Sequence, residues 1–172
     1  LLLVRQALER TPVHSERLAL AFSGGPDSLG LLLALQQILG AQRLLAAHVD
    51  HGGQGSRVRC EQAERLARRC GVDFSASQRD VDLDRRTSES WESAARRVRY
   101  QALEEIADHT GVHWIATAHH LEDQPETVIL RLRQGSDWMG LAGIAPRRGR
   151  VIRPALGVSK WQLRTLVAEA GL

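Results

Sequence analysis

Short apolar runs alternate with longer segments of helical period along the chain. "RLALAFS" (17–23) reads as a buried strand and "LGLLLALQQIL" (29–39) as a helix. "RLLAAHVD" (43–50) is a second strand. The next helix sets Ala63, Leu66, Ala67 and Cys70 at i, i+3, i+4 and i+7, one face of a 3.6-residue period. "VDFSASQ" (72–78) is a third strand, followed by a polar loop. A long helix runs from about Ser88 to Asp108, with Trp91, Ala94, Ala95, Val98 and Ala102 on one stripe. "VHWIATA" (112–118) is a fourth strand, residues 122–133 a helix, "GRVIRPA" (149–155) a short fifth strand, and "SKWQLRTLVAEAGL" (159–172) a last helix. At the start, "LLLVRQALERTP" reads as a short helix closed at Thr11-Pro12.

This β-α-β-α order predicts an α/β fold: an open parallel sheet of about five strands with helices on both faces, as a single domain over residues 1–172. Such sheets bind ligands beyond the carboxyl ends of their strands, near the point where strand order reverses. Each unusual polar cluster of this chain falls just after a predicted strand, which points to an enzyme.

Composition narrows the class. Hydrophobic residues are 43% and charged residues 25%, ordinary for a soluble globular protein, and no apolar run approaches a membrane span. The first residues are too short and too charged a stretch for a signal peptide. Cys60 and Cys70 lack the C-x-x-C spacing of a metal or redox motif, so a cytoplasmic protein with reduced thiols is expected. The formal charge is only +3, but Lys160 is the only lysine and every other basic side chain is arginine, the cation suited to bidentate phosphate contact. The competing explanation is a codon bias. Aromatic residues are 4%, too few for a base-stacking platform of several rings.

The candidate chemistry starts at Ser23-Gly24-Gly25-Pro26-Asp27-Ser28, between the first strand and the first long helix. Glycine lets backbone N–H groups approach an anion closely. A helix N-terminus adds unpaired N–H groups and the positive end of a dipole. Pro26 suits the first helical position, where no N–H is needed. Ser23 and Ser28 add hydroxyls. The loop has no Walker lysine and is not G-x-G-x-x-G. The alternative is a plain turn capped by Asp27 or Ser23. An aspartate in an anion-holding loop is the feature to be explained.

The string S-G-G-x-D-S resembles the PP-loop of N-type ATP pyrophosphatases, whose fold is adenine nucleotide alpha hydrolase-like. Within that superfamily the chain resembles the catalytic domain of the tRNA(Ile)-lysidine synthetase family over about residues 17–166. The resemblance implies that Ser23, Gly24, Gly25, Pro26, Asp27 and Ser28 cradle the pyrophosphate of ATP. "AAHVDHG" (46–52) is similar to the family's H-V-x-H-G, which implies adenosine contact at His48 and Val49. On a strand, His48 and His51 point to opposite faces and do not jointly ligate a metal.

"ESAARRVRY" (92–100) resembles E-x-x-A-R-x-x-R-Y. The resemblance turns Arg96 and Arg99 towards phosphate or the substrate base; the alternative is a Glu92–Arg96 salt bridge on a helix face. "TAHHLEDQPET" (117–127) resembles T-A-H-H-x-D-D-Q-x-E-T and places His119 among the nucleotide-binding residues. Asp123 and Glu126 fall in the first turn of a helix, where acidic residues also simply complement the dipole. Carboxylates near a triphosphate repel it unless a cation intervenes, so Asp27 and Asp123 are candidate Mg²⁺ ligands. Asp123 and Glu126 are equally candidates for the ammonium groups of a lysine substrate. "RLRQGSDWMGLAGIAP" (131–146) resembles a conformable glycine-bearing family loop, and "VIRPAL" resembles I-R-P-L. Arg153 there reads as a contact to α-phosphate or tRNA, or as a solvated strand-end arginine.

The chain departs from the family pattern at Glu122, Gln134, Asp137 and in "HGGQGSR". Family members also carry C-terminal tRNA-binding domains, and none is recognisable here. The resemblance implies a two-step reaction on a tRNA(Ile) with a CAU anticodon. ATP adenylates the C2 oxygen of the wobble cytidine with release of pyrophosphate. The ε-amine of L-lysine then displaces AMP to form lysidine. In this scheme the loop and Mg²⁺ stabilise the leaving group, Arg96 or Arg99 balances charge on the base, and Asp123 or Glu126 orients the lysine amine and accepts its proton. Two other readings stand beside it: a PP-loop tRNA thiolase, disfavoured by the lack of paired C-x-x-C motifs, and a non-catalytic nucleotide-binding module.

Overall fold

The computed structural model describes residues 1–11, 13, 15–53, 55–133 and 142–172. Helix α1 (Leu2–Glu9) ends where the Thr11 N–H and hydroxyl both donate to the Leu8 carbonyl. Then β1 (Leu18–Ala21) leads to α2 (Pro26–Leu39), and a single 3₁₀ turn leads to β2 (Leu44–Asp50). Helix α3 (Ser56–Arg69) connects to β3 (Asp73–Gln78). The short α4 (Val81–Asp84) follows and then α5 (Trp91–His109). Next come β4 (Trp114–Ala116) and α6 (Asp123–Arg133). The hairpin β5 (Arg147–Arg148) and β6 (Val151–Ile152) precedes α7 (Lys160–Glu169).

Among the described residues the sheet has six strands in the order β3-β2-β1-β4-β6-β5. All neighbours are parallel except β5 and β6. Leu18 is in register with Leu44 on one side and Trp114 on the other. Strand order therefore reverses at β1, and the crevice between the ends of β1 and β4 is the position where this architecture binds ligands.

Alternation along β1 explains why both faces are covered. Leu18 and Leu20 pack with α1, α2, α3 and α7, whereas Ala19 packs against Leu103, Ile106 and Ala107 of α5 on the opposite face. β2 splits the same way, with Leu44 and Ala46 on one face and Leu45 and Ala47 on the other. The tightest joint is α2 against α7: a Cβ on Gly30 would stand 2.3 Å from the Leu163 carbonyl oxygen, so only glycine permits this approach.

Several sequence expectations are corrected. The edge hairpin adds β5, a two-residue arginine strand with no hydrophobic signal. Trp91, expected on the buried stripe of the long helix, is half exposed, because the first turn of α5 projects past the sheet and burial starts at Ala94. The loop expected after β3 contains α4, capped by the Asp80 carboxylate, which accepts the N–H groups of Asp82 and Leu83. The stretch 134–141, including Gln134 and Asp137, lies outside the described residues.

Candidate functional site

The chain leaves β1 held by two bonds to β2: the Phe22 N–H donates to the Ala47 carbonyl, and His48 Nδ1 lies 2.8 Å from the Phe22 carbonyl oxygen. His48 is thus a buried strut beneath the loop, and its neighbours Val49 and Asp50 carry β2 to the cavity wall. Gly24 then takes φ +77°, and a Cβ there would meet Ala63 of α3 at 3.2 Å. Positive φ and the close helix together demand glycine.

Gly25 is the N-cap of α2 and Pro26 its first residue, yet no side chain caps the helix. The expected alternative, a turn capped by Asp27 or Ser23, does not form. Ser23 Oγ accepts the Gly25 N–H and contacts Ser28 Oγ at 3.1 Å, while the Ser28 hydroxyl donates to the Gly25 carbonyl. The two serines brace the loop, and the first N–H groups of α2 keep no side-chain acceptor. A helix end in this state attracts anions.

The Asp27 carboxylate faces two cations and an imidazole. Arg164 Nε lies 3.4 Å from Oδ1, and Lys160 Nζ and His120 Nε2 each lie 3.8 Å from Oδ2. Lys160 and Arg164 are i and i+4 on α7 and share a face. The α2–α7 contact at Gly30 brings that face beside the loop. Local reading of the sequence misses both residues. The only available signals are that Lys160 is the single lysine and that Gly30 interrupts a leucine-rich helix.

His120 links this group to the loop after β4. Its Nε2 is 3.7 Å from Asp123 Oδ1, and its Nδ1 is 3.1 Å from Glu122 Oε2. Asp123 Oδ2 accepts the His120 N–H, which fixes the turn into α6. Glu122, a departure from the family pattern, accepts the Lys160 N–H with both oxygens. That bond, more than any other contact, holds its carboxyl below the usual range. The same residue therefore ties the α6 loop to the start of α7, whose own Ser159–Gln162 capping box completes the junction.

These elements enclose a cavity of about 570 Å³ at the β1–β4 switch point. Ser23, Asp27 and Ser28 line one end, His48, Val49 and His51 another, and Arg99, His119, His120 and Asp123 the remainder. Burial first, and then the charge of Arg153, pushes the His119 imidazole down to about 4, so it is neutral near pH 7. Its Nδ1 shares a 2.8 Å hydrogen bond with Thr117 Oγ1. His51 Nδ1 is buried with no hydrogen-bond partner, and burial lowers this imidazole also. Arg99 reaches the cavity half-buried, and desolvation brings its guanidinium below its ordinary value.

Two of the expected residues are not brought in. Glu126 is exposed on α6 and outside the cavity lining. Arg96 is exposed and does not pair with Glu92; it stacks over Tyr100 at 5.3 Å and lines a separate groove. Arg99 also lies near the Tyr100 ring, 5.6 Å from its centre, and lines the cavity. Arg153 is not a solvated strand-end residue: it is buried, and its Nη1 donates to the Ala145 carbonyl.

The described residues contain no group of three or more His, Cys, Asp or Glu side chains set to hold a metal. Mg²⁺ does not require one. It binds through one or two carboxylates together with waters and substrate phosphates. Asp27 and Asp123 are the carboxylates that could serve in this way, since one oxygen of each lies within 3.8 Å of His120 Nε2. No helix of the described residues is long and apolar enough to cross a membrane.

Comparisons with known proteins bear on the family and the fold. A tRNA(Ile)-lysidine synthase of Novosphingobium aromaticivorans is 37% identical over 167 residues, covering 92% of this chain and 49% of that protein. The one from Bacillus subtilis is 34% identical over 164 residues, covering 87% of this chain and 34% of that protein. The chain thus spans half or less of the length of these curated relatives. Among solved structures, the U34-tRNA thiolase NcsA from Methanococcus maripaludis with its 4Fe-4S cluster superposes with a TM-score of 0.79 at 20% identity, over 99% of this chain and 62% of that one. An NH3-dependent NAD synthetase from Campylobacter jejuni superposes with a TM-score of 0.61 at 16% identity, over 98% of this chain and 69% of that one. Both are likenesses of fold. A family model described as a PP-loop domain matches residues 3–172, and the chain belongs to that family.

Proposed function

We propose that this chain is the catalytic part of an enzyme that adenylates the wobble cytidine of a CAU-anticodon tRNA(Ile) with ATP and joins L-lysine to its C2, forming lysidine and releasing pyrophosphate and AMP. The observation that carries the reading is the uncapped start of α2 opening into the same cavity as Arg99, His119 and Asp123. The names of the relatives supply the substrate class.

The residues divide the work as follows. The N–H groups at the head of α2 and the Ser23 and Ser28 hydroxyls receive the departing pyrophosphate. Lys160 and Arg164 bring positive charge beside it. Asp27 and Asp123 hold Mg²⁺, which when bound neutralises phosphate charge. The wall formed by His48 and Val49 takes the adenosine. Arg99 faces the reacting base, and its partial desolvation strengthens its pull on developing negative charge. Neutral His119 lines this chamber without adding a competing cation. Of the two acidic candidates for the lysine amine, Asp123 lines the cavity and Glu126 stands outside it.

A thiolase reading finds less support: of the two cysteines, Cys70 is buried in the core and Cys60 is half-buried on α3, far short of a cluster's thiolate set.

The test is mass spectrometry of a CAU-anticodon tRNA incubated with the protein, ATP and L-lysine. A lysine-sized gain on the wobble cytidine, lost with Asp27→Ala, is the expected result. No gain with the unaltered protein refutes the proposal.

A further inference from the structure

A second groove of about 560 Å³ lies between α5 and the β5–β6 hairpin; Tyr100 lines it and does not line the cavity described above. Its lining includes Arg96, Tyr100, Arg148 and Arg153, and one carboxylate, Glu104. Not every arginine there is available. Arg97 is paired with Glu89 at 2.8 Å, and Arg150 with Asp108 at 2.6 Å. Arg96 and Arg148 have no carboxylate within ion-pair distance among the described residues, and both are exposed. Arg153 is 6% exposed, and its Nε–H is buried without an acceptor. A buried guanidinium N–H without a partner is costly, and a phosphate oxygen is its natural complement.

We infer that this groove binds a backbone phosphate of the substrate RNA, next to the nucleotide that enters the ATP cavity. The inference rests on the reading of an RNA substrate given above. Helix α5 then serves two ligands from within a single turn: Arg99 faces the reacting base, and Arg96, three residues earlier, faces the strand that carries it. Both guanidinium groups lie near the ring of Tyr100, Arg96 at 5.3 Å and Arg99 at 5.6 Å from its centre, while Arg99 lines the first cavity and Arg96 the second. The hairpin "RRGR" (147–150) forms the outer wall. Arg147 there is committed to the fold by stacking 4.8 Å over Trp114, and Arg148 is left for the groove. Guanidinium groups in a groove with few aromatic rings suit sugar–phosphate contact, which sets register without reading sequence.

The experiment measures equilibrium binding of a CAU-anticodon stem-loop RNA to the protein across a salt series, for the unaltered chain, Arg96→Gln and Arg148→Gln. Both side chains are exposed, so the fold is retained, and matching thermal melts check this. Each substitution is expected to weaken RNA binding by about tenfold and to reduce the log–log salt slope by about 0.7–0.9, the signature of one lost phosphate contact. ATP affinity of Arg148→Gln, measured without RNA, is expected to stay unchanged. RNA affinity and salt slope equal to those of the unaltered chain, in variants that still form lysidine, would overturn the inference and leave the proposed function standing. Absence of lysidine with the unaltered chain refutes that function and the inference with it.

Discussion

Replacing Gly30 by alanine tests whether the α2–α7 contact sets the geometry around Asp27. The added Cβ would lie 2.3 Å from the Leu163 carbonyl oxygen and 2.8 Å from its carbon, whereas ordinary contact begins at 3.4 Å. Both obstructing atoms are backbone, so no rotamer change relieves them. The helices must part by about 1 Å. Overpacking of this kind costs about 1–3 kcal/mol, and rigid backbone on both sides puts it at the upper end. Alanine returns about 1 kcal/mol of helix propensity. The net loss is about 2 kcal/mol, or a fall of about 4–8 °C in Tm for a domain of this size. Moving α7 also moves Lys160 and Arg164 away from the Asp27 carboxylate, although Gly30 itself does not line the cavity. Thermal unfolding followed by circular dichroism reads the first effect, and calorimetric titration with ATP reads the second. A variant with the melting temperature and ATP affinity of the unaltered chain would refute the claim that this contact positions the site.

Two further outcomes follow from the site geometry. Lys160→Gln removes a cation beside the loop and should weaken ATP binding by about tenfold, the scale of one charge-assisted phosphate contact, while leaving the thermal melt nearly unchanged; ATP binding at full strength would remove Lys160 from the pocket's function. His119 is buried neutral, with its imidazole lowered to about 4 from an unfolded value of 6.5. The unfolded state therefore binds the proton first, and stability falls as pH drops from about 6.5 towards 4, by about 3 kcal/mol at the lower end. Urea unfolding of the unaltered chain and of His119→Gln across this range isolates the effect: the difference in their stabilities should shrink on acidification, and a constant difference would contradict the buried-neutral assignment.

The parts of this molecule legible in its sequence are those governed by short-range periodicity. The runs at 17–23, 43–50 and 112–118 become the strands that flank the switch point, because strands covered on both faces must be almost wholly apolar. The loop Ser23–Ser28 is legible too, since glycine placement and helix starts are local matters. What escapes is long-range. Lys160 and Arg164 reach Asp27 only through a helix contact made possible by Gly30. Arg96 and Arg99 are three apart on one helix, and periodicity does not tell which of them faces the cavity; in the fold it is Arg99. Glu126 looks equivalent to Asp123 on a first helical turn, yet α6 buries none of its described residues, and one residue is exposed while the other meets His120.

The aspartate in the anion-holding loop now has a physical account beyond metal binding. A bare loop of N–H groups would leave Lys160 and Arg164 mutually repelling at one side of the cavity. The Asp27 carboxylate offsets that repulsion and holds the two cations within 3.8 Å of its own oxygens. In the proposed function, phosphate oxygens arriving at the head of α2 would compete with Asp27 for these cations, and a divalent ion at Asp27 would satisfy the displaced carboxylate. We propose that this exchange couples phosphate binding to metal binding. Asp27→Asn, which keeps the shape but not the charge, should then make ATP affinity less dependent on Mg²⁺ concentration. A calorimetric Mg²⁺ series showing the same dependence in the variant and the unaltered chain would refute that coupling.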